Sequence, residues 1–582
     1  MSEYSAPLRD MKFVIEEWLQ APNAWQQSQL FTDLDIELAS QVLEEAAKFA
    51  TGELAPLNAI GDREGCRWID GEVRTPTGFA AAYAQYVEGG WPALACAAED
   101  GGQGLPQLLN AALHEMLFSA NHAWAMYTGI AHGAYECLRA HGSEELRARY
   151  LEQIVSGECL PTMCLTEPQA GSDVGLVRTR ADRQSDGTYT LTGNKIFISG
   201  AEHDFTQNIL HLVLARVPGA PAGNRGISLF LVPKYYSGAQ GDEQNGIRCV
   251  GIEHKMGIHG SPTCTIAFEG AKGWLVGQED AGLNAMFVMM NSARLHVGLQ
   301  GLGHAQMALQ EATGYAAERT QMRAPRRPQG VPAAPVDPIE YHPAMRRKLL
   351  ELRAYTEGMR AIGYWAAHLL DMAEDASGSE RHRLEQQASL LTPIIKAFFS
   401  EQGFRLASEA LQVHGGYGYV QDYSIEQTLR DSRVVMLYEG TNEIQANDLL
   451  LRKVLGDKHN AFGNLVELIL NEAQQDAHNV SGYGAVLEVL CAELREVVSS
   501  LHDSKDPEQP YRIATDFLRL MGLVLLGYAW ARTWRISFER AEPFYQVKVE
   551  TAQFYFDYVL PEADLRVKII RKAAALPFKR RG

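Results

Sequence analysis

A β-rich segment lies between two long stretches of helical sequence in this chain of 582 residues. Between about residues 162 and 277, β-branched and aromatic residues recur in short runs that Gly, Pro and Asn separate. Asp186-Gly187 marks a tight turn, and the residues after it alternate as in a strand. The β-rich runs cover residues 188–192, 195–199, 209–216, 227–232 and 263–268. Short strands at this spacing predict a small antiparallel barrel or sandwich between helical regions, and hence an α+β protein.

Helical patterns interrupted by Gly and Pro fill the chain before this segment. Asp35 is placed to cap a helix that runs to about residue 51. Residues 56–78 are rich in loop-forming residues and predict a loop. Helical patterns resume at residues 108–122 and 132–156.

Helices also fill the chain after residue 282, where apolar residues recur at spacings of three and four. One such stripe consists of Leu352, Tyr355, Met359, Ile362, Ala366 and Leu369, and another of Leu487, Leu490, Leu494, Val497 and Leu501. Six prolines between residues 323 and 343 predict a long loop, and residues 503–510 a polar break. The most apolar run, residues 520–531, is shorter than the roughly 20 residues that span a bilayer and predicts a buried helix.

These changes from helical to β-rich patterns along the chain predict four domains. Residues 1–160 form an N-terminal helical domain, and residues 161–280 form a β-barrel domain. Residues 281–460 form a four-helix bundle, and residues 461–582 add a further helical domain.

Charge and cysteine content narrow the class of protein. The net charge of −18 disfavours binding to nucleic acid, although local basic sites for a phosphate remain compatible with it. The eight cysteines are scattered without a CxxC pair, so we expect neither a disulfide framework nor a metal site. The N-terminus has no basic stretch followed by an apolar core, which favours a cytoplasmic protein without an integral membrane segment.

Three segments combine glycine with polar side chains. Residues 163–175 contain a loop that could aim N–H groups at a flat heteroaromatic ring or a pyrophosphate, but an ordinary polar turn explains it as well. Residues 412–419 carry adjacent glycines that suit either a helix C-cap or a cofactor lying against the backbone. Glu439 follows an apolar run and could be a desolvated base or a helix-dipole partner.

In this order, the segments resemble the acyl-CoA dehydrogenase family over about residues 30–460. The matching segments are LTEPQAGSD (165–173), GNKIFISG (193–200), the helix around Arg294, YAAER (315–319), QVHGGYGY (412–419) and YEGTNEIQ (438–445). MGIHGSP (256–262) and the helical extension after residue 460 resemble the large bacterial branch of that family. That branch acts on medium- or long-chain acyl-CoAs and, in one subgroup, on methylmercaptopropionyl-CoA.

The resemblance implies FAD-dependent α,β-dehydrogenation of a fatty acyl-CoA to the trans-2-enoyl-CoA, the first step of β-oxidation. Glu439 would abstract the α-proton, flavin N5 would take the β-hydride, and electron-transfer flavoprotein would accept the electrons. The backbone N–H of Glu439 and the ribityl 2′-hydroxyl of the flavin would stabilise charge on the thioester oxygen. A minority of the family places its base directly before the arginine equivalent to Arg294, but this chain has Ala293 there.

The resemblance also assigns contacts to single residues. FAD would be bound by Met163, Leu165, Thr166, Gly171, Ser172, Phe197, Ser199, Arg319, Gln321, Gln412, Gly416 and Thr441. The acyl-CoA would be bound by Ser172, Arg294, Tyr438 and Gly440. Phe197 and Ser199 stand where the family usually has Trp and Thr. In the family the residues that match Arg319, Gln321, Gln412 and Gly416 bind the FAD of a neighbouring subunit, so the resemblance implies a homodimer or a dimer of dimers.

Several alternatives remain open at the level of sequence. A medium- to long-chain substrate is favoured, with methylmercaptopropionyl-CoA as the alternative. An acyl-CoA oxidase would keep the carboxylate and the flavin but use O2, and a non-catalytic acyl-CoA-binding scaffold would need neither. Trp124, Met126, Tyr127 and Gly129 are candidates for the acyl channel, with core packing an equally good account.

Overall fold

The computed structural model describes residues 4–238, 241–475 and 481–575, and the chain divides into two compact units. One unit comprises Glu45–His296, and the other comprises Met1–Glu44 together with Val297–Gly582. The first unit contains the β-rich segment, and the second contains the C-terminal helices. The described α+β order of helices, strands and helices confirms the predicted fold class.

The α-helices are long after the β-rich segment and shorter before it. They are α1 (Leu8–Lys12), α2 (Ala21–Gln27), α3 (Ile36–Phe49), α4 (Ala55–Glu64), α5 (Phe79–Glu88), α6 (Gln107–Thr128), α7 (Ala131–His141), α8 (Glu144–Val155), α9 (Gly282–Glu318), α10 (Pro343–Asp375), α11 (Gly378–His414), α12 (Ile425–Ser432), α13 (Asn442–Asn447), α14 (Ala461–Gln474), α15 (Tyr483–His502), α16 (Gln509–Ser537), α17 (Pro543–Phe554) and α18 (Glu562–Ala575).

The strands form one main sheet and two small hairpins. They are β1 (Arg67–Ile69), β2 (Glu72–Arg74), β3 (Cys159–Cys164), β4 (Arg180–Arg183), β5 (Tyr189–Ser199), β6 (Asn208–Ala215), β7 (Ser228–Pro233), β8 (Tyr235–Gly238), β9 (Gly241–Gln244), β10 (Ile247–Ile252) and β11 (Thr263–Val276). The main sheet has the order β3-β6-β7-β11-β5-β4, and β10 pairs with β11.

The main sheet is open, whereas the sequence predicted a closed barrel or a sandwich. β3 and β4 stand at the two ends of the hydrogen-bonded order, and β3 runs parallel to β6 while the other pairs are antiparallel. A single isolated bridge between Arg180 and Arg216 joins β4 to the end of β6. The runs 188–192 and 195–199 form one continuous strand, β5, because Gly193 and Asn194 stay in the ladder with β11.

The predicted loop at residues 56–78 is wrong. Residues 55–64 form α4, and β1 and β2 form a hairpin directly after it. Pro56 closely follows a π-helical turn, Ala50–Leu54, in which the N–H of Ala55 donates to the carbonyl of Ala50. The helical backbone therefore continues through this proline, at a wider turn that does not need the usual hydrogen bond to the fourth residue before it. The nearby cap at Asp35 is confirmed, since its Oδ1 accepts the N–H of Leu38 at 2.7 Å at the start of α3.

The C-terminal helices are as the apolar stripes predicted. The stripe from Leu487 to Leu501 is buried along α15, and residues 503–508 separate α15 from α16. By length and composition α16 could cross a membrane, but 83% of its most apolar window is buried inside the protein. The indole N–H of Trp530 in α16 donates to the carbonyl of Ala354 in α10 at 2.9 Å. The apolar run 520–531 therefore belongs to a buried helix, as expected.

Candidate active site

The predicted site residues fall on both compact units. The unit Glu45–His296 carries Met163, Leu165, Thr166, Gly171, Ser172, Phe197, Ser199 and Arg294. The other unit carries Arg319, Gln321, Gln412, Gly416, Tyr438, Glu439, Gly440 and Thr441. We describe three groups: the Thr166 cradle (Thr166, Phe197 and Ser199), the Arg319 cluster (Arg319, Gln321, Gln412 and Gly416) and the Glu439 loop (residues 438–441).

The Thr166 cradle forms where the loop after β3 meets β5. The N–H of Ile196 donates to the carbonyl of Thr166 at 2.9 Å. Phe197 follows with φ of +60°, a left-handed conformation that only a few per cent of non-glycine residues adopt. Its side chain is nevertheless 59% exposed, which is unusual for a large aromatic ring. A ring held out in this way beside a polar loop fits contact with a flat heteroaromatic group.

The rest of the 163–173 loop offers backbone more than side chains. Met163 and Leu165 are half-buried and pack against the apolar core of their unit. Gly171 and Ser172 are exposed, and a Cβ built at Gly171 would meet no atom within 4 Å. The bridge between Glu167 and Ala170 closes the turn that leads to them. The backbone of Gly171 and the side chain of Ser172 are therefore accessible to a ligand.

A buried ion pair holds this loop, and the sequence reasoning missed it. Nζ of Lys195 lies 2.8 Å from Oε1 of Glu167, and both side chains are buried. Burial alone would raise the pKa of Glu167, but the Lys195 ammonium and the hydrogen bonds from Thr179 and Arg178 outweigh burial and hold the pKa at about 2. The available signal was a Lys next to apolar residues in GNKIFISG and a Glu in LTEPQAGSD.

The Arg319 cluster lies where α9 and α11 end beside each other. The ring of Tyr315 stacks on His414, with centroids 4.3 Å apart, and the guanidinium of Arg319 lies 5.3 Å from the centroid of the Tyr417 ring. Gln321, Gln412 and Gly416 are exposed. A Cβ at Gly416 would meet no atom within 4 Å. One cation beside accessible backbone suits a phosphate group.

The Glu439 loop has an unusual backbone. Glu439 has φ of +54° and Gly440 has φ of +89°, so a non-glycine residue is held in the left-handed region next to a glycine. A Cβ at Gly440 would lie 2.7 Å from Nε2 of Gln445, which donates to the carbonyl of Glu439 at 3.2 Å. The Glu439 side chain is half-buried. The backbone therefore fixes the direction in which the Glu439 side chain leaves the main chain.

Buried side chains on both sides anchor the loop. The hydroxyl of Tyr438 donates to Gln300 of α9, and burial raises the pKa of Tyr438 well above its ordinary value. On the other side, Oδ1 of Asn442 accepts from Nζ of Lys396 at 3.0 Å and from the Ser400 hydroxyl at 3.2 Å. The sequence reasoning missed Gln300, Lys396 and Ser400, because nothing in their local pattern distinguishes them from other helical residues.

The remaining candidates occupy helices. Ala293 is buried in α9, and Arg294 beside it is half-buried. Trp124, Met126 and Tyr127 are buried in α6, with the Trp124 indole bonded to the carbonyl of Phe79 at 3.1 Å. Both core packing and an acyl channel are compatible with this burial, so the channel assignment of these residues and Gly129 stays a prediction.

The described residues present no grouping of three or more His, Cys, Asp or Glu side chains that could hold a metal ion. All eight cysteines are free thiols. The donor set instead consists of an exposed aromatic ring, open glycine backbone, hydroxyls and an arginine. In the Thr166 cradle these groups fit a flat ring, and in the Arg319 cluster they fit a phosphate group, better than either fits a metal.

Comparison with protein families matches almost the whole chain. The acyl-CoA dehydrogenase N-terminal, middle and C-terminal domains match residues 37–158, 162–271 and 280–453. The domain described as acetyl-CoA dehydrogenase C-terminal like matches residues 464–578.

Individual relatives and solved structures are also similar to this chain over most of its length. A 3-methylmercaptopropionyl-CoA dehydrogenase from Ruegeria pomeroyi is 39% identical over 96% of each chain, and the broad-specificity linear acyl-CoA dehydrogenase FadE5 of Mycobacterium tuberculosis is 33% identical over 96% of each. The structure of ACDH-11 from Caenorhabditis elegans with C11-CoA covers 100% of this chain and 97% of its own, with 20% identity and a TM-score of 0.76. An acyl-CoA dehydrogenase from Bacillus anthracis complexed with FAD covers 95% and 91%, with 22% identity and a TM-score of 0.72.

Proposed function

Because the chain belongs to the acyl-CoA dehydrogenase family, whose members use FAD to oxidise CH–CH bonds of acyl-CoA, we propose that it desaturates a fatty acyl-CoA with Glu439 as the catalytic base. The observation that carries the proposal is the Glu439 loop. Its carboxylate stands on a left-handed backbone beside Gly440, with buried anchors on both sides. Such strain persists only where the surroundings enforce it, and it concentrates at active sites.

The chain offers two groups of residues that would contact FAD. The Thr166 cradle offers the exposed Phe197 ring to a flat ring, while Gly171, Ser172 and the Arg319 cluster offer N–H groups and a cation to phosphates. When bound, FAD supplies the acceptor for two electrons. We propose that the Arg319 cluster serves the FAD of a second copy of the chain, so that the enzyme is a homodimer or a dimer of dimers.

Glu439 would take the α-proton of the thioester onto a side-chain oxygen. The α-carbon acid is weak, so the negative charge that develops on the thioester oxygen also needs a donor. We propose that the backbone N–H of Glu439 serves as that donor. Gly440 supplies the left-handed backbone next to the base, and Thr441 directly precedes α13. Ala293 carries no ionisable group, so the other position at which the family can place its base is not used.

The substrate is the finer part of the proposal. We favour a medium- to long-chain acyl-CoA, with electrons passing to an electron-transfer flavoprotein in the cytoplasm. Methylmercaptopropionyl-CoA is the second candidate, since the relative with that activity is 39% identical over 96% of each chain.

A substrate panel tests the reaction. The purified protein, loaded with FAD, would be mixed without oxygen with acyl-CoAs of four to eighteen carbons and with methylmercaptopropionyl-CoA. We expect at least one of them to bleach the flavin absorbance, and the fastest one to identify the substrate. If none bleaches the flavin, the proposed dehydrogenation is wrong, and a protein that binds no FAD would be a scaffold. Fast reoxidation of the product-bound flavin by air instead of by an electron-transfer flavoprotein would indicate an oxidase.

A further inference from the structure

A buried ion pair connects the loop after β3 to the centre of β5. Lys195 in β5 and Glu167 in the loop are 0% and 4% exposed, with 2.8 Å between Nζ and Oε1. Nζ of Lys195 also donates to the carbonyl of Leu165 at 3.0 Å. The ammonium group therefore binds the chain on both sides of Thr166.

Glu167 is saturated with donors. Its Oε1 accepts the N–H of Thr179 at 3.0 Å and the Thr179 hydroxyl at 2.6 Å. Its Oε2 accepts the N–H of Arg178 at 2.8 Å and the amide of Gln169 at 2.6 Å. With Lys195, the carboxylate fixes three segments of backbone at one point.

Such a pair is a poor source of stability. Desolvating two charges is costly, and apolar residues of similar volume often serve a core equally well or better. β5 is already held on both edges by its ladders with β4 and β11. These ladders do not hold the loop at residues 165–173. The ion pair of Lys195 and Glu167 does hold it.

We propose that Lys195 and Glu167 are positioning residues that hold Thr166 and Phe197 in place for the flavin ring, an inference that rests on the proposed function. The N–H of Ile196, next to Lys195, donates to the Thr166 carbonyl at 2.9 Å. Phe197 follows with its left-handed backbone and its exposed ring. Without the pair, the loop and the strained residue lose their common anchor, while the sheet keeps its ladders.

The test replaces both charges at once, because a single change leaves an unpaired buried charge that threatens folding. One double variant carries Lys195→Met and Glu167→Leu. The control double variant carries Arg248→Met and Glu269→Leu. The control pair joins β10 to β11 of the same sheet, at 2.7 Å, but its side chains are 57% and 58% exposed. FAD affinity, the visible spectrum of the bound flavin, thermal unfolding, and kcat and KM for the acyl-CoA are measured for both.

We expect the buried-pair variant to fold, to bind FAD about tenfold more weakly or worse, as for one or two lost hydrogen bonds, and to show a shifted flavin spectrum. Its kcat should fall while its KM changes little, and the control should match the wild type throughout. Wild-type FAD affinity and spectrum in the buried-pair variant would overturn the proposal.

If that double variant does not fold, Lys195→Met with the near-isosteric Glu167→Gln serves as the second variant, because it also leaves no unpaired buried charge. The same losses are expected of it, and wild-type FAD affinity and spectrum in it would overturn the proposal. The proposed function is tested separately on the wild type. Failure of wild-type protein to bleach with any acyl-CoA overturns the function, whereas an active wild type with an unaltered variant overturns only the positioning role.

Discussion

Glu439 shows how one residue can be prepared for a chemical role by its backbone. A left-handed φ at a non-glycine residue costs of order 1 to 3 kcal/mol, and the fold must supply that energy elsewhere. The neighbouring hydrogen bonds of Tyr438 to Gln300 and of Asn442 to Lys396 help to offset this cost. Gly440 is needed because its φ of +89° and the nearby Gln445 amide leave no room for a side chain.

Glu439→Gln should remove proton abstraction and leave the fold and the bound FAD unchanged, because the amide has nearly the same shape but cannot accept the proton. Loss of a general base typically lowers a rate by about 10²- to 10⁴-fold. The measurement is the rate of flavin bleaching by acyl-CoA without oxygen. Glu443→Gln is the matched control, since Glu443 is exposed on α13 and should be dispensable. Bleaching of Glu439→Gln at the wild-type rate would exclude Glu439 as the base.

At the scale of elements, the sequence predicted best where periodicity was long. The stripes of α10 and α15 and the cap at Asp35 depend on local rules, and all are found as predicted. The loop predicted at residues 56–78 and the predicted closed barrel were wrong because the continuation of a helix through Pro56 and the closure of a sheet both depend on context.

The site residues show the same difference between what local sequence predicts and what depends on distant contacts. Glycine-rich motifs pointed to the loops, and the family resemblance supplied roles for their residues. The partners that hold those loops, Lys195, Lys396 and Gln300, are distant in sequence and obey no local pattern. The four-domain division remains a prediction beside the two compact units of the structure.

The crossing of α9 and α11 allows a prediction at this scale. A Cβ at Gly301 would lie 2.5 Å from the carbonyl oxygen of Phe399, and one at Gly403 would lie 2.4 Å from the carbonyl oxygen of Gly301. Gly301→Ala should therefore lower the free energy of unfolding by about 1 to 3 kcal/mol, because backbone and not a flexible side chain must move. Chemical denaturation measures it.

Gly314→Ala provides the control in the same helix. A Cβ at Gly314 meets no atom within 4 Å, and alanine favours a helix over glycine by about 0.5 to 1 kcal/mol. This variant should be as stable as the wild type or more so. Equal denaturation midpoints for Gly301→Ala and the wild type would show that the two helices tolerate a wider separation.

At the scale of the whole molecule, the net charge says little about the ligand, whereas the buried ionisable groups predict how stability depends on pH. FAD and acyl-CoA are anions, so in the proposed function a chain with a net charge of −18 would bind them through local N–H groups and arginines such as Arg319. Stability depends on other groups. Burial, with a smaller effect of Lys234, lowers the pKa of His203 and of His211 to about 3, and burial lowers that of His114 to about 4.

These histidines predict a loss of stability in weak acid. Each takes up a proton below a pKa of about 6.5 when the chain is unfolded but stays neutral when folded, so stability is full above that pH and falls as the pH decreases towards 3 or 4. His211→Gln keeps a partner for the Thr162 hydroxyl, which lies 2.7 Å from Nδ1 of His211. Between pH 7 and 5 it should lose about 2 kcal/mol less unfolding free energy than the wild type.

The comparison needs denaturation curves at pH 7, 6 and 5 for the wild type, His211→Gln and a control. His254→Gln is that control, because His254 belongs to the same unit but its side chain is exposed to water in the folded chain. Its pH dependence should therefore match that of the wild type. A His211→Gln curve parallel to the wild type would mean that His211 is protonated in the folded protein at pH 5, with its Nε2 in contact with an acceptor or with water. In that case burial would not dominate its titration, and the acid sensitivity of the molecule would have to arise from its carboxylates, such as the buried Glu167.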